Sequence, residues 1–231
     1  MRVTTANNCR GVTGFTNTFF SVYTNAGDTI VAGIDIRGSV GARVINVSRS
    51  LKGNNRIGNV VSPIDLDGSE TNVLPNLSAV IGWTERLQSH VSVGKTITRP
   101  EFASLNPALI LIPGTVNTLG SGSSGNPFLK PVSSTSTDVT LEYFFEKNGF
   151  VQLALFDRKI DGYQQNFSQD ETIDGQRYTV SRPQNSGKGK LYGAEFGVQK
   201  FFDFLPSPFD GFGAQFNYTM IKGRNQTRTS L

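Results

Sequence analysis

Along several runs of about ten residues this chain alternates strictly between apolar and polar side chains, a period of two that suits a β-strand with two unlike faces. Over residues 89–98, Val91, Val93 and Ile97 fall on one face and His90, Ser92, Thr96 and Thr98 on the other. The alternation stops at Arg99-Pro100. It resumes where Thr137, Val139, Leu141, Tyr143 and Phe145 oppose Asp138, Thr140, Glu142 and Glu146. Between the two runs lies turn chemistry: Asn106-Pro107, Pro113-Gly114, the Gly/Ser run from Gly120 to Pro127, and Lys130-Pro131. A connection this long is uncommon inside a compact domain and calls for a functional or architectural reason.

The same pattern recurs along the chain. Strands are expected at 15–24 and at 36–49, where Ile36, Val40, Ala42 and Val44 oppose Arg37, Ser39, Gly41 and Arg43, with a turn near 25–28 between them. Further strands are expected at 77–84, with Leu77, Ala79, Ile81 and Trp83 on one side, and from Val151 through Leu153 and Leu155. Two more carry Tyr192, Ala194, Phe196 and Val198, then Phe212, Ala214, Phe216, Tyr218 and Met220. Twenty-five glycines and 17 phenylalanines suit β-structure punctuated by turns. The 22 basic and 18 acidic residues are scattered, so the net charge of +4 forms no phosphate-tracking stripe and a nucleic-acid partner is not expected. Cys9 is the sole cysteine, which excludes an internal disulfide. No apolar run approaches the ~20 residues of a membrane helix, and the first ten residues contain no signal-peptide core.

Connections alternate in length: short near 25–35, 85–88, 146–149 and 203–211, long at 50–75, 99–135 and 164–187. In an antiparallel series that places the short turns at one end and the long connections at the other. Aromatic residues gather beside the short turns: Trp83, Phe144, Phe145, Phe150, Phe201, Phe202, Phe204, Phe209 and Phe212. An interfacial girdle of a membrane barrel has that position. A soluble β-sandwich also alternates, but its strands average five or six residues and its apolar faces meet across a core. Lys95 falls on the apolar face by parity; either a bulge at Gly94 turns it inward or it stands near an interface.

Several short pieces recur in one order: Val73-Leu-Pro-Asn-Leu77 before a strand, Gly94-Lys-Thr-Ile-Thr-Arg-Pro-Glu-Phe102 at its exit, and Ser124-Gly-Asn-Pro-Phe-Leu-Lys-Pro131 before the next. Ala154-Leu-Phe-Asp-Arg-Lys-Ile-Asp161, Gly187-Lys-Gly-Lys-Leu-Tyr-Gly-Ala-Glu195, and Phe201-Phe-Asp-Phe-Leu-Pro206 leading into Gln215-Phe-Asn-Tyr-Thr219 complete the set. Over residues 36–220 this order and spacing resembles the late barrel region of TonB-dependent outer-membrane transporters. The resemblance implies an all-β, antiparallel, up-and-down transmembrane barrel segment, about eight strands of a larger barrel, in the outer membrane of a Gram-negative bacterium. It implies outer-membrane lipid, a small-molecule or oligosaccharide substrate of the carbohydrate-uptake branch, and TonB, acting through a plug, as partners. A complete member carries a signal peptide, a plug, about 22 strands and an aromatic C-terminus. The expectation is therefore a fragment without a plug, not competent for transport alone: an unpatterned stretch at 1–14, a partial barrel at 15–222 and a polar, truncated end at 223–231.

No catalytic group is expected. His90 is the only histidine and falls on a polar strand face, where it suits hydrogen bonding in a lumen. Gly94-Lys95-Thr96 lacks the first glycine and the helix of a phosphate loop. Residues 65–70, Asp-Leu-Asp-Gly-Ser-Glu, supply too few spaced oxygens for calcium and fit a solvated turn better. Arg37, Arg43, Asp138, Glu142, Glu146, Arg158, Glu195, Gln199, Gln215 and Asn217 fit a polar barrel lining. Asn126-Pro127 and Lys130-Pro131 are expected to hold the chain extended where it descends into a strand. Ligand contacts are expected from Tyr163, Gln165, Asn166 and Phe167; no cofactor or metal is implied. The alternative is a soluble β-rich module that binds a ligand or partner. A closed eight-stranded barrel fits less well, because such barrels fill their interiors and this polar face is rich in Gly, Ser and Thr; an enzyme ranks last.

Overall fold

The computed structural model describes residues 3–4, 14–31, 33–57, 60–115, 117–145, 149–209 and 211–227. The readings placed on Cys9, on Glu146 and the turn at 147–148, and on 228–231 lie outside these residues. In chain order the elements are β1 (Val3–Thr4), β2 (Gly14–Val31), β3 (Ile34–Ile57), β4 (Val60–Gly82) and β5 (Leu87–Thr98). A 3-10 turn (Phe102–Leu105), β6 (Leu109–Ile112) and β7 (Gly120–Ser124) follow, and then β8 (Val132–Phe144), β9 (Gly149–Ile173), β10 (Gln176–Phe201) and β11 (Gly213–Thr227). Among the described residues no helix is long and apolar enough to cross a membrane.

Eight strands, β2, β3, β4, β5, β8, β9, β10 and β11, form one antiparallel wall in which each pairs with its neighbour in sequence. Directly paired residues share a face, so the registers trace which side chains stand together. Ala79, Val91, Val139, Leu155, Ala194 and Met220 form one continuous row, and Ile36, Ile81, Ser89, Leu141, Leu153, Phe196 and Tyr218 the next. This apolar face is the exposed one. Along β8 from Thr135 to Tyr143 the exposed residues are Thr135, Thr137, Val139, Leu141 and Tyr143, while the polar residues between them are half-buried. A soluble sandwich would cover such a face with a second sheet; among the described residues none does, and Leu155 and Met220 are each 50% exposed. β2 and β11 do not pair with each other, so the wall is an open segment rather than a closed eight-stranded barrel.

The aromatic girdle is present. Trp83, Phe144, Phe201, Phe204, Phe209 and Phe212 are exposed at the short-turn end. The Trp83 indole N–H donates to Ser89 Oγ at 2.8 Å, so the serine in that row is both bonded and covered. Phe209 stacks on Phe212 and Phe144 tilts against Phe150.

Two expectations change at the other end. The connections at 50–75 and 164–187 are not loops: β3, β4, β9 and β10 are 24, 23, 25 and 26 residues long. At about 3.3 Å per residue such strands run roughly 75–85 Å, well over the ~25 Å apolar band that a barrel presents. They therefore continue past the belt as paired hairpins. The long connections do stand together at one end, but two of the three are themselves β-structure. Residues 65–70 lie within β4 and are no turn. The expected turn at 25–28 is instead a register shift between Ala26 and Thr29, and the chain reverses at Gly33, whose φ of 81° suits glycine.

The third connection, between β5 and β8, folds back into the wall. Leu105 and Leu129 bury against Leu51, with Leu66 packed alongside; Leu111 buries against Tyr178 and Val180. β6 runs parallel to the tip of β3 and β7 parallel to β10, so this insert ties the β3–β4 hairpin to the β9–β10 hairpin. The Gly/Ser run is thus a packed strand. A methyl group on Gly122 would sit 2.5 Å from Leu111 Cδ2, closer than atoms tolerate.

The exposure pattern sets a direct test. Val139→Arg, in the middle of the apolar belt, is expected to destabilise the protein in lipid vesicles by ~2–4 kcal/mol, whereas Thr140→Arg, one residue on and facing the other way, changes stability by under about 1 kcal/mol. Denaturant titration of the gene's full product in vesicles measures both; equal losses would contradict the assignment of faces.

Candidate functional site

The second face of the wall is polar, and registers collect the residues that sequence parity assigned to it. One row carries Arg37, His90, Thr140, Glu195 and Thr219; the next carries Asp35, Gln88, Glu142, Gln152 and Asn217. Gln199 pairs with Gln215 directly. Gln88 Nε2 donates to Glu142 Oε2 at 2.8 Å, and His90 Nε2 lies 3.4 Å from the same oxygen without the alignment of a hydrogen bond. Arg158 lies 3.5 Å from Asp138 with its guanidinium 5.8 Å from the Phe156 ring centre. Arg43 Nε donates to Ser21 Oγ at 3.1 Å, and Arg37 pairs with Asp35 at 3.1 Å. Arg37–Asp35 and Arg158–Phe156 are contacts along one strand, and the others cross between neighbouring strands. Among the described residues no group of three or more His, Cys, Asp or Glu could hold a metal ion.

Above the belt, a bulge decides which residues face inward. The β9–β10 register shifts between Asn185 and Lys188, opposite Gly162, whose φ of 84° accommodates the kink. Beyond it the parity of both strands is reversed. Tyr163, Gln165 and Phe167 now share the inner side with Gln184, Val180 and Tyr178, while Asn166 stands on the other. The Tyr163 ring lies flush on the glycine track of β10: a methyl group on Gly189 would come within 2.7 Å of Tyr163 Cε2. The structure therefore brings together three of the four residues expected to touch ligand, and places all four on a strand rather than on a loop.

The pairing also gathers amides. Gln164 faces Asn185, Gln165 faces Gln184, and Asn166 faces Pro183. Ser186 Oγ donates to Gln165 Oε1 at 3.3 Å, which leaves the Gln165 amide nitrogen as a donor. Arg182 forms an ion pair with Glu171, and Arg177 lies 3.6 Å from Asp170. At the hairpin tip an open depression of about 610 Å³ is lined by Thr115, Asn117, Thr118, Leu119, Gln176 and Arg177.

Asn185, which carries no signal in the sequence, and Asn126 hold this region. Asn185 Nδ2 donates to Lys130 O at 2.8 Å and to Gly162 O at 2.9 Å, and its Oδ1 accepts from the Lys130 N–H at 2.8 Å. Asn126 Nδ2 donates to Pro183 O at 3.0 Å, and its Oδ1 accepts the Phe128 N–H at 3.0 Å. The Asn126-Pro127 and Lys130-Pro131 segment is thus a turn clamped to β10 by two asparagines, rather than a chain held extended by proline alone. A signal for the hairpin was present in Asp174-Gly175, the pair favoured in type I′ turns; their φ values are 50° and 79°.

A family profile described as "TonB dependent receptor-like, beta-barrel" matches residues 3–230. No curated protein matches the sequence. Among solved structures, the siderophore receptor PirA from Pseudomonas aeruginosa matches with a TM-score of 0.50 and 16% identity, over 91% of this chain and 43% of that one. A mutant of the ferric enterobactin receptor PfeA from Pseudomonas aeruginosa, in complex with enterobactin, matches with a TM-score of 0.53 and 15% identity, over 90% of this chain and 36% of that one. At these identities the likeness is one of fold. The chain spans about two fifths of the length of these receptors.

Asn185 offers a local test. Asn185→Ala removes three hydrogen bonds at the junction, and a loss of ~1–3 kcal/mol in the stability of the cap is expected. The readout is faster hydrogen exchange at Lys130 and faster proteolysis between β7 and β8, with the wall unchanged; unaltered exchange at Lys130 would mean the clamp is not holding the cap.

Proposed function

The chain belongs to the TonB-dependent receptor-like β-barrel family, an outer-membrane family of Gram-negative bacteria, and on that premise we propose that it forms one side of the barrel of an energy-coupled transporter for a small solute, of which an oligosaccharide is the substrate class. TonB is the proposed source of energy coupling, and it engages a plug domain rather than the wall described above. The observation that carries the substrate class is the amide and aromatic band above the belt. Gln165 and Gln184 face each other on the inner side. Each primary amide offers both donors and an acceptor, the combination that matches sugar hydroxyls. Tyr163 and Phe167 stand on the same side and supply flat apolar surface for a sugar ring. In this reading Tyr163, Gln165 and Phe167 touch the solute as it enters, and Asn166, on the opposite side of the strand, meets it only outside the barrel.

The charge balance of the region supports the same class. The nearest arginines, Arg177 and Arg182, are paired with Asp170 and Glu171, so the band does not concentrate unpaired cations for an anionic chelate. The structural neighbour PfeA is described with enterobactin bound, and a ferric catecholate is accordingly the competing substrate class in the test.

Calorimetric titration of the gene's full product in detergent, with a panel of neutral oligosaccharides and with a ferric catecholate, separates the two. Gln165→Ala and Gln184→Ala are each expected to weaken oligosaccharide binding roughly two- to tenfold, the worth of one net hydrogen bond. Tight binding of the catecholate with no heat from any oligosaccharide would overturn the substrate class.

A further inference from the structure

We propose that residues 126–130 form a strap laid across the amide and aromatic band, which a solute has to lift before it reaches Gln165 and Gln184. The inference rests on the reading of that band as the solute's binding surface.

The strand pairing fixes where this stretch of chain runs. β10 carries β9 on one edge and β7 on the other, since Ser181 pairs with both Ser168 and Ser123. β9 in turn carries β10 on one edge and β8 on the other, since Asp161 pairs with both Lys188 and Ser133. β7 ends at Ser124 and β8 begins at Val132, so the residues between them pass from one edge of the β9–β10 hairpin to the opposite edge. A route round the hairpin tip at Asp174-Gly175 would take roughly 60 Å of chain, at about 3.3 Å for each residue climbed and descended. Val132 is eight residues beyond Ser124, a reach of about 29 Å at most. The chain therefore crosses a face of the hairpin.

Leu129 identifies the face. It is fully buried against Leu105 and Leu51, and Leu51 stands on the same side of β3 as Arg37 and Arg43, the polar inner side. The level of the crossing is set by its two ends. Asn126 Nδ2 donates to Pro183 O at 3.0 Å, and Asn185 holds both the N–H and the carbonyl of Lys130 at 2.8 Å. Gln184 lies between those two anchor residues and pairs with Gln165. Both amides are half-buried. The strap thus lies over the two side chains whose donors and acceptors the band offers.

Its fastening is of the detachable kind. Ladder pairing stops at Ser124 and resumes at Val132. Between them the Leu129 N–H donates to Asn126 O at 3.2 Å and closes a turn, while hydrogen bonds from Asn126, Asn185 and Gln164 and the burial of Leu129 hold that turn to the hairpin. A side-chain hydrogen bond can be exchanged for one to water or to solute at small net cost, so the strap can leave without any strand leaving the sheet. Leu111, Tyr178 and Val180, which pack the insert on β10, form a cluster separate from that of Leu129. Phe128 on the turn is 72% exposed, so an incoming solute meets an aromatic ring before it meets the amides.

The test needs no knowledge of the solute. In the gene's full product with Cys9→Ser, Gln165→Cys is labelled in detergent with a maleimide carried on a neutral polyethylene glycol chain, and modification of residue 165 is followed by peptide mass spectrometry. Adding Asn185→Ala, or Asn126→Ala at the other end of the strap, is expected to raise the labelling rate roughly tenfold or more, the worth of one net hydrogen bond. Thr179→Val removes a hydrogen bond to Asp170 on the same hairpin but outside the strap, and is expected to leave the rate unchanged. Hydroxyl-radical footprinting of the same proteins separates a lifted strap from a loosened cap: oxidation of the buried Tyr178 is expected to stay low in every variant. Equal labelling with and without the two asparagines, or oxidation of Tyr178 that rises together with labelling, overturns the proposal. Faster labelling in the asparagine variants, combined with no heat from any neutral oligosaccharide, removes the substrate class and leaves the strap standing.

Discussion

A backbone amide in hydrocarbon must find its partner within the protein, and in a sheet that partner lies on the next strand. The eight-stranded wall is the consequence. Each wall strand pairs with the next wall strand in sequence, and along β8 the apolar set is exposed while the polar set is half-buried. This inverts the usual relation between burial and hydrophobicity, because the medium outside the wall is itself apolar. Trp83 bonded to Ser89 shows the same rule at the level of one side chain: a hydroxyl on the lipid side is covered and given a donor.

Past the belt the constraint relaxes, and a conventional core takes over. Among the described residues the most deeply buried side chains, Leu51, Leu129 and Val180, lie not in the apolar belt but in the cap above it, where the insert between β5 and β8 meets the extensions of β3 and β10. In water an extended two-stranded hairpin is marginal alone. The insert joins both hairpins with short parallel strands and with the asparagines at 126 and 185, so three long connections act as one body. The bulge opposite Gly162 changes sidedness at the boundary between these regimes. Below it the outer set of β9 and β10 belongs to the apolar belt; above it Tyr163, Gln165 and Phe167 are turned to the inner side.

Much of the wall was legible because one face of each strand meets an apolar medium, which stamps a period of two on the sequence. Residues 36–44, 137–144 and 192–198 carry that stamp and lie in strands with the expected sidedness. Residues 164–173, Gln-Gln-Asn-Phe-Ser-Gln-Asp-Glu-Thr-Ile, are equally part of a strand but are bathed by water on at least one side and carry no period. Asp174-Gly175 is the local hairpin signal in this stretch, and the expectation of a long connection at 164–187 did not use it. Lys95 illustrates the opposite case: the sequence identified it as anomalous, and the register, unbroken through Gly94, showed that no bulge turns it inward and that the anomaly is shared by Lys159, Lys190 and Arg224 in the same row.

From the residues alone follow the all-β class, the count of wall strands, the polar lining and the clustering of aromatics near short turns, since each depends on the local alternation of side chains along one strand. Only the tertiary structure decided which side chains from different strands share a row, where the parity reverses, and how the insert from 99 to 131 packs. Those depend on register and on bulges, which are set by contacts between residues far apart in sequence. The long connection between β5 and β8 looked like a loop because glycine and serine dominate it; it is a packed strand pair because Tyr178 and Leu111 leave room for nothing larger.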